Sequence, residues 1–144
     1  MMVPWSSPRL LPAPTPPIPP SCSAPDWSPD GSRLAYTSDV DGNSEIYLLD
    51  RTTNRNTRLT RQPAIDTAPA FSPNGRWIAY QSDESGRYEV YVRPFPDTGG
   101  RWQVSVEGGR YPRWSPSGEE ILFRSSAGIE GARVVDEGSA LRMS

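Results

Sequence analysis

The chain of 144 residues carries 15 basic and 17 acidic side chains, and it has neither histidine nor lysine, every basic residue being arginine. Those absences exclude imidazole-based nucleophilic catalysis, the usual nitrogen ligand of zinc and the lysine of phosphate-binding loops. A formal charge of −2 gives no electrostatic footprint for nucleic acid, and no apolar run reaches the roughly 18 residues that a membrane-spanning helix needs.

Residues 1–25 hold nine of the 17 prolines. Proline removes backbone donors and fixes φ, so this density blocks both helix and sheet ladders and predicts a disordered, extended segment. Its apolar stretch is broken by proline and has no early basic residue, so no signal peptide is expected here. The single cysteine, Cys22, can form neither an internal disulfide nor a metal cluster.

From residue 26 onward the chain repeats itself. Asp26-Trp27-Ser28-Pro29-Asp30-Gly31 opens one unit, Ala70-Phe71-Ser72-Pro73-Asn74-Gly75 a second, and Arg113-Trp114-Ser115-Pro116-Ser117-Gly118 a third. Residues 26–50 and 70–94 share 10 identities in 25 positions without a gap. Ser-Pro-x-Gly is β-turn chemistry: proline presets φ at the second corner and glycine accepts positive φ at the last. A strand is predicted next, Leu34-Ala35-Tyr36-Thr37-Ser38 matching Ile78-Ala79-Tyr80-Gln81-Ser82, and Ile121-Leu122-Phe123 starting the same way. An Asp-led loop with a turn glycine follows at 39–43 and 83–87, then a β-branched and aromatic strand, Glu45-Ile46-Tyr47-Leu48 or Glu89-Val90-Tyr91-Val92. Arg58-Leu59-Thr60 and Gln103-Val104-Ser105 read as weaker fourth strands.

Four short antiparallel strands per 40–45 residues is the size of one propeller blade. The expected fold is therefore all-β: a partial β-propeller of two full blades, about 24–62 and 66–107, plus part of a third at 111–126. Residues 127–144, which lack the Glu-x-Tyr strand, are expected to form an irregular tail with only Val134-Val135 as a strand core. Propellers close with roughly 4–8 blades. The reading is thus a fragment of a larger propeller, a chain that fills the missing blades by self-assembly, or an open stack of marginal stability.

Trp27-Ser28-Pro29-Asp30-Gly31 through Ile46-Tyr47-Leu48, with its copy at 71–92, resembles the TolB-type β-propeller repeat, a relative of WD-type repeats. The stretch from Ser82 to Gly118, with Tyr91-Val92-Arg93-Pro94-Phe95-Pro96 and Trp102-Gln103-Val104-Ser105, is similar to TolB-like propeller segments attached to bacterial receptor-type Ser/Thr protein kinases. The resemblance covers about 26–126. It implies a binding module with a protein or peptide partner, in an extracytoplasmic or periplasmic setting, or else a detached kinase sensor region with no activity alone. No kinase motif and no Gly-x-Ser-x-Gly elbow accompanies it, so no catalysis is carried over.

Several side chains invite a functional reading. Asp39, Asp41, Asn43 and Glu45 put four oxygen donors within seven residues, as a hard cation would want, but the second copy exchanges Asp41 for Ser85 and Asn43 for Arg87. Glu45 and Glu89, with Asp39 and Asp83, suggest a glycosidase-like carboxylate pair, yet a site is needed once and these recur with every unit. Trp27, Phe71 and Trp114 suggest stacking platforms, although their period suits packing between blades better. No catalytic, cofactor or metal residue is therefore expected. The candidates for partner binding are those that differ between copies, Arg87, Tyr88, Arg93, Phe95, Arg110 and Tyr111, since arginine and tyrosine are enriched at interface hot spots.

Overall fold

The computed structural model describes residues 23–40, 42–61, 63–96, 100–137 and 141–143. The expectation for residues 1–22 lies outside this range. Among the described residues no helix is long and apolar enough to cross a membrane.

Twelve strands form three four-stranded sheets, each a simple up-and-down meander. The first contains β1 (Ser23–Trp27), β2 (Arg33–Ser38), β3 (Glu45–Asp50) and β4 (Arg55–Arg58). The second contains β5 (Asp66–Phe71), β6 (Trp77–Ser82), β7 (Glu89–Pro94) and β8 (Trp102–Gln103). The third contains β9 (Arg110–Trp114), β10 (Glu120–Ser125), β11 (Gly128–Asp136) and β12 (Leu141–Met143). The register repeats as the sequence does, with Tyr36 opposite Tyr47 and Tyr80 opposite Tyr91. The fold is an all-β, open, propeller-like stack of antiparallel sheets.

The Ser-Pro-x-Gly turns make the same bonds three times. Gly31, Gly75 and Gly118, at φ between 74° and 78°, each donate their N–H to the carbonyl of Ser28, Ser72 or Ser115 at 2.9 Å. Each serine hydroxyl then accepts the N–H of the first residue of the next strand: Arg33 at 3.0 Å, Trp77 at 3.1 Å and Glu120 at 3.2 Å. Serine recurs because one short side chain serves both the turn and the strand that leaves it.

The sheets pack face to face around two apolar interfaces. Ala35, Ile46, Leu48 and Leu59 of the first meet Phe71, Ile78, Tyr80 and Tyr91 of the second. Trp77, Ala79, Val90 and Val92 on the other face of the second meet Ile121, Phe123, Ala132, Val134 and Leu141 of the third. All six residues of β6 are consequently buried, whereas β10 alternates between buried and open positions, as a strand covered on one face does. The first strands β1, β5 and β9 lie side by side and form one wall of the stack.

Two boundaries differ from expectation. The first sheet begins at Ser23, so residues 23–25 belong to β1 rather than to the proline-rich segment. The third sheet is complete: β11 runs for nine residues where an irregular tail was expected, and β12 pairs with it. The strand was obscured because its hairpin is cut to two residues, Ser125 pairing directly with Gly128, which removes the Asp-led loop and the Glu-x-Tyr signature. Its Gly131 is opposite Leu122, and a Cβ there would meet the Glu120 carboxylate at 2.6 Å. Glycine, usually a strand breaker, here lets Glu120 and Leu122 lie across the sheet.

Candidate functional site

The recurring polar residues turn out to be fasteners within the first and second sheets. Glu45 is fully buried and accepts the Thr60 hydroxyl and, at 3.0 Å, the Arg58 guanidinium, while the Thr60 oxygen accepts the N–H of Ile46 at 2.9 Å. In the second sheet Glu89 accepts the Ser105 hydroxyl at 2.5 Å, Arg87 Nε at 2.9 Å and the Gly108 N–H at 3.0 Å, and Ser105 accepts the N–H of Val90 at 2.8 Å. Each buried carboxylate is thus fixed in place by several donors of its own sheet, a structural role. Asn43 of the Asp-led loop turns its amide to the Ala64 carbonyl at 2.6 Å, while Asp41 lies outside the described residues.

The first strands are joined to neighbouring sheets by a bulge that the repeat also encodes. Ala68 and Tyr111 precede Pro69 and Pro112, interrupt their strand registers, and adopt φ of 58° and 56°. In each case the bulge N–H is taken by the preceding sheet: Ala68 donates to Thr37 Oγ1 at 3.2 Å and Tyr111 to Gln81 Oε1 at 2.7 Å. Left-handed backbone is uncommon for a side chain with Cβ, and for tyrosine it is tolerated because the bond to Gln81 and the following buried Pro112 hold it. The x-Pro pair recurs in the sequence at 24–25, 68–69 and 111–112, and the αL bulge that it marks at Ala68 and Tyr111 went unread.

Where the bulge of β9 meets the β6–β7 loop, the structure opens a cleft of about 560 Å³. Arg87, Tyr88, Arg110 and Tyr111 line it together with Arg124 and Glu107. The Arg110 guanidinium sits 4.4 Å from the centre of the Tyr88 ring, within cation–π range. Partial burial, followed by the nearby Asp83 carboxylate, raises the Tyr88 hydroxyl above its ordinary pKa, with Arg110 pulling the other way. Arg87 spans the rim, holding Glu89 and donating to the Val106 carbonyl at 2.7 Å. Tyr111 stands 52% exposed at the mouth.

Arg93 and Phe95 lie elsewhere, in the seam between the first and second sheets. Arg93 donates to the Leu59 carbonyl at 3.0 Å. Phe95 meets Phe71 edge-on at 5.7 Å under the Arg33 guanidinium at 5.1 Å. Four of the six candidate residues are thus brought together, and two are spent on packing. Of the three periodic aromatics, Phe71 is buried between sheets and Trp114 donates its indole N–H to the Ala70 carbonyl at 3.0 Å. Trp27 is half exposed with Arg51 over its ring at 5.2 Å. At the opposite end, Asp136 accepts the Trp77 indole at 2.8 Å and the Asn74 amide at 3.2 Å, which ties β11 to the turn of the second sheet. Sequence reasoning missed this tie because it lies in the supposed tail.

A family model described as the TolB beta propeller domain matches residues 17–139. Over 41 residues the chain is 51% identical to the Protein TolB homolog of Protochlamydia amoebophila (strain UWE25), a match covering 28% of this chain and 9% of that protein. It is 44% identical over 43 residues to the Tol-Pal system protein TolB of Coxiella burnetii (strain RSA 493 / Nine Mile phase I), covering 30% and 10%. The crystal structure of TolB from Acinetobacter baumannii is similar with a TM-score of 0.67 at 26% identity, over 83% of this chain and 31% of that one. The chain thus matches about a third of this solved relative and about a tenth of each curated one. With the family model matching most of its length and the repeated blade seen in both sequence and structure, the chain belongs to the TolB β-propeller domain family.

Proposed function

We propose that the chain is a non-catalytic protein-binding module, part of a larger TolB-like propeller, that recognises a protein or peptide partner at the cleft of Arg87, Tyr88, Arg110 and Tyr111. The observation that carries this reading is the convergence of those four side chains, from a loop of one sheet and the first strand of the next, on one open cleft. Tyrosine supplies large contact area at little cost in conformational freedom, and arginine adds directional donors. One relative is named as a protein of the Tol-Pal system, which favours a protein partner. A catalytic reading has less support, because Glu45 and Glu89 are occupied by structural donors. A sensor region detached from a receptor-type kinase would present the same surface, and the same variants test it.

Panning a random-peptide phage library against the immobilised chain should return peptides whose Kd weakens roughly tenfold or more in Tyr111→Ala. This variant keeps the fold, because Ala68 occupies the equivalent bulge. Peptides that bind wild type and Tyr111→Ala equally, or a library that yields none, would sink the proposal.

A further inference from the structure

Arg110 and Arg124 are direct partners across the β9–β10 ladder, and both line the cleft. Like charges directly opposite on neighbouring strands repel and destabilise a sheet. Nothing among the described residues forms an ion pair with either guanidinium, and two carboxylates of the adjoining strands β7 and β11 are otherwise engaged: Glu89 with Ser105, Arg87 and Gly108, and Glu130 with the Ser125 hydroxyl at 2.8 Å. Glu107, at the rim, is the one carboxylate among the lining residues, against three arginines.

We infer that this pair is a receptor for carboxylate, and that the partner of the cleft is an acidic peptide segment. The inference rests on the reading of the cleft as a protein-binding surface and gives that partner a chemistry. Arg110, steered by Tyr88 beneath it, and Arg124 opposite present two forks of N–H donors, which match carboxylate oxygens in the plane of the group. An Asp or Glu side chain set between them cancels the repulsion that the empty sheet carries. Tyr111 and Tyr88 flank the pair with ring faces for the apolar parts of the segment. A nucleic acid would also bring negative charge, but the chain as a whole is acidic, at pI about 5.2, and a long polyanion would be repelled outside the cleft. A short acidic segment has to satisfy only the local field.

The position itself points the same way. In the first two sheets the residue equivalent to Arg124 is Thr37 or Gln81, an acceptor that binds the bulge N–H of the next sheet. Arginine has no acceptor. At this place the third sheet has exchanged a fastening residue for a free cation facing the cleft.

The test uses the full chain and the peptides selected above. They should be enriched in Asp and Glu. A fluorescein-labelled member should bind with Kd that weakens steeply as NaCl rises from 50 to 500 mM, and at least tenfold in Arg124→Gln and in Arg110→Gln. Without peptide, Arg124→Gln should melt at a temperature equal to or above that of wild type, because a repulsion is removed; a merely structural arginine would lower it. Neutral or basic peptides that depend on Tyr111 but not on either arginine would overturn the acidic partner and leave the cleft standing. Peptides indifferent to all three residues would overturn the cleft as well. Equal affinity for single-stranded oligonucleotide and acidic peptide would overturn the peptide assignment.

Discussion

Asp66 is fully buried at the start of β5, and neither carboxylate oxygen has a hydrogen-bond partner. Burial pushes its pKa up to about 6 from 3.8; the Ser82 and Thr60 hydroxyls pull back without reaching bonding geometry, while Glu45 and Glu84 add repulsion. The folded state therefore holds this proton more tightly than the unfolded chain does. Between pH 3.8 and about 6 the native form binds more protons, so stability falls as pH rises through that window and the loss is complete above it. At neutral pH the ionised group costs the fold on the order of 2–3 kcal/mol. Asp66→Asn should raise the unfolding free energy measured in urea at pH 7.5 by an amount of that order and change it little at pH 3.5. A gain that is the same at both pH values would mean that ionisation is not its source.

Within the sheets, the repeated Glu with its Ser or Thr forms the fastening between third and fourth strands. Glu89→Ala leaves three donors, from Ser105, Arg87 and Gly108, without their acceptor, and should cost roughly 2–4 kcal/mol in denaturant unfolding. Ser105→Ala keeps the carboxylate partly satisfied and should cost about 1–2 kcal/mol. If the serine variant proved the more harmful, the carboxylate would not be the hub. These elements were legible in the sequence because their signals are local: a Ser-Pro-x-Gly turn, then Leu34-Ala35-Tyr36 or its copy. The final hairpin was not, since β11 replaces the Asp-led loop by two residues and depends on Gly131 yielding space to Glu120. Ala132 and Val134 still alternate there, but two buried positions make too short a pattern without the loop before them. The cleft was half legible. Differences between copies singled out Arg87, Tyr88, Arg110 and Tyr111, whereas the seam that claims Arg93 and Phe95 depends on how one sheet meets another.

Across the whole stack, coupling runs through side chains shared between sheets. Phe71 lies between the first two, against Ile46 and Leu48 on one side and Phe95 edge-on. Phe71→Ala should cost about 3–5 kcal/mol. It should lower hydrogen-exchange protection in both β3 and β6; a loss confined to β5 would show that the sheets open independently. The backbone bonds between sheets also have a direction. Thr37 and Gln81 each offer oxygen to the bulge of the sheet that follows them, but at Arg124 the outward side of β10 offers only donors. Another copy approaching there with its own bulge would set N–H against N–H. Head-to-tail growth into a filament is thereby denied its joining bond, and an open stack of sheets carries its own brake on fibre formation.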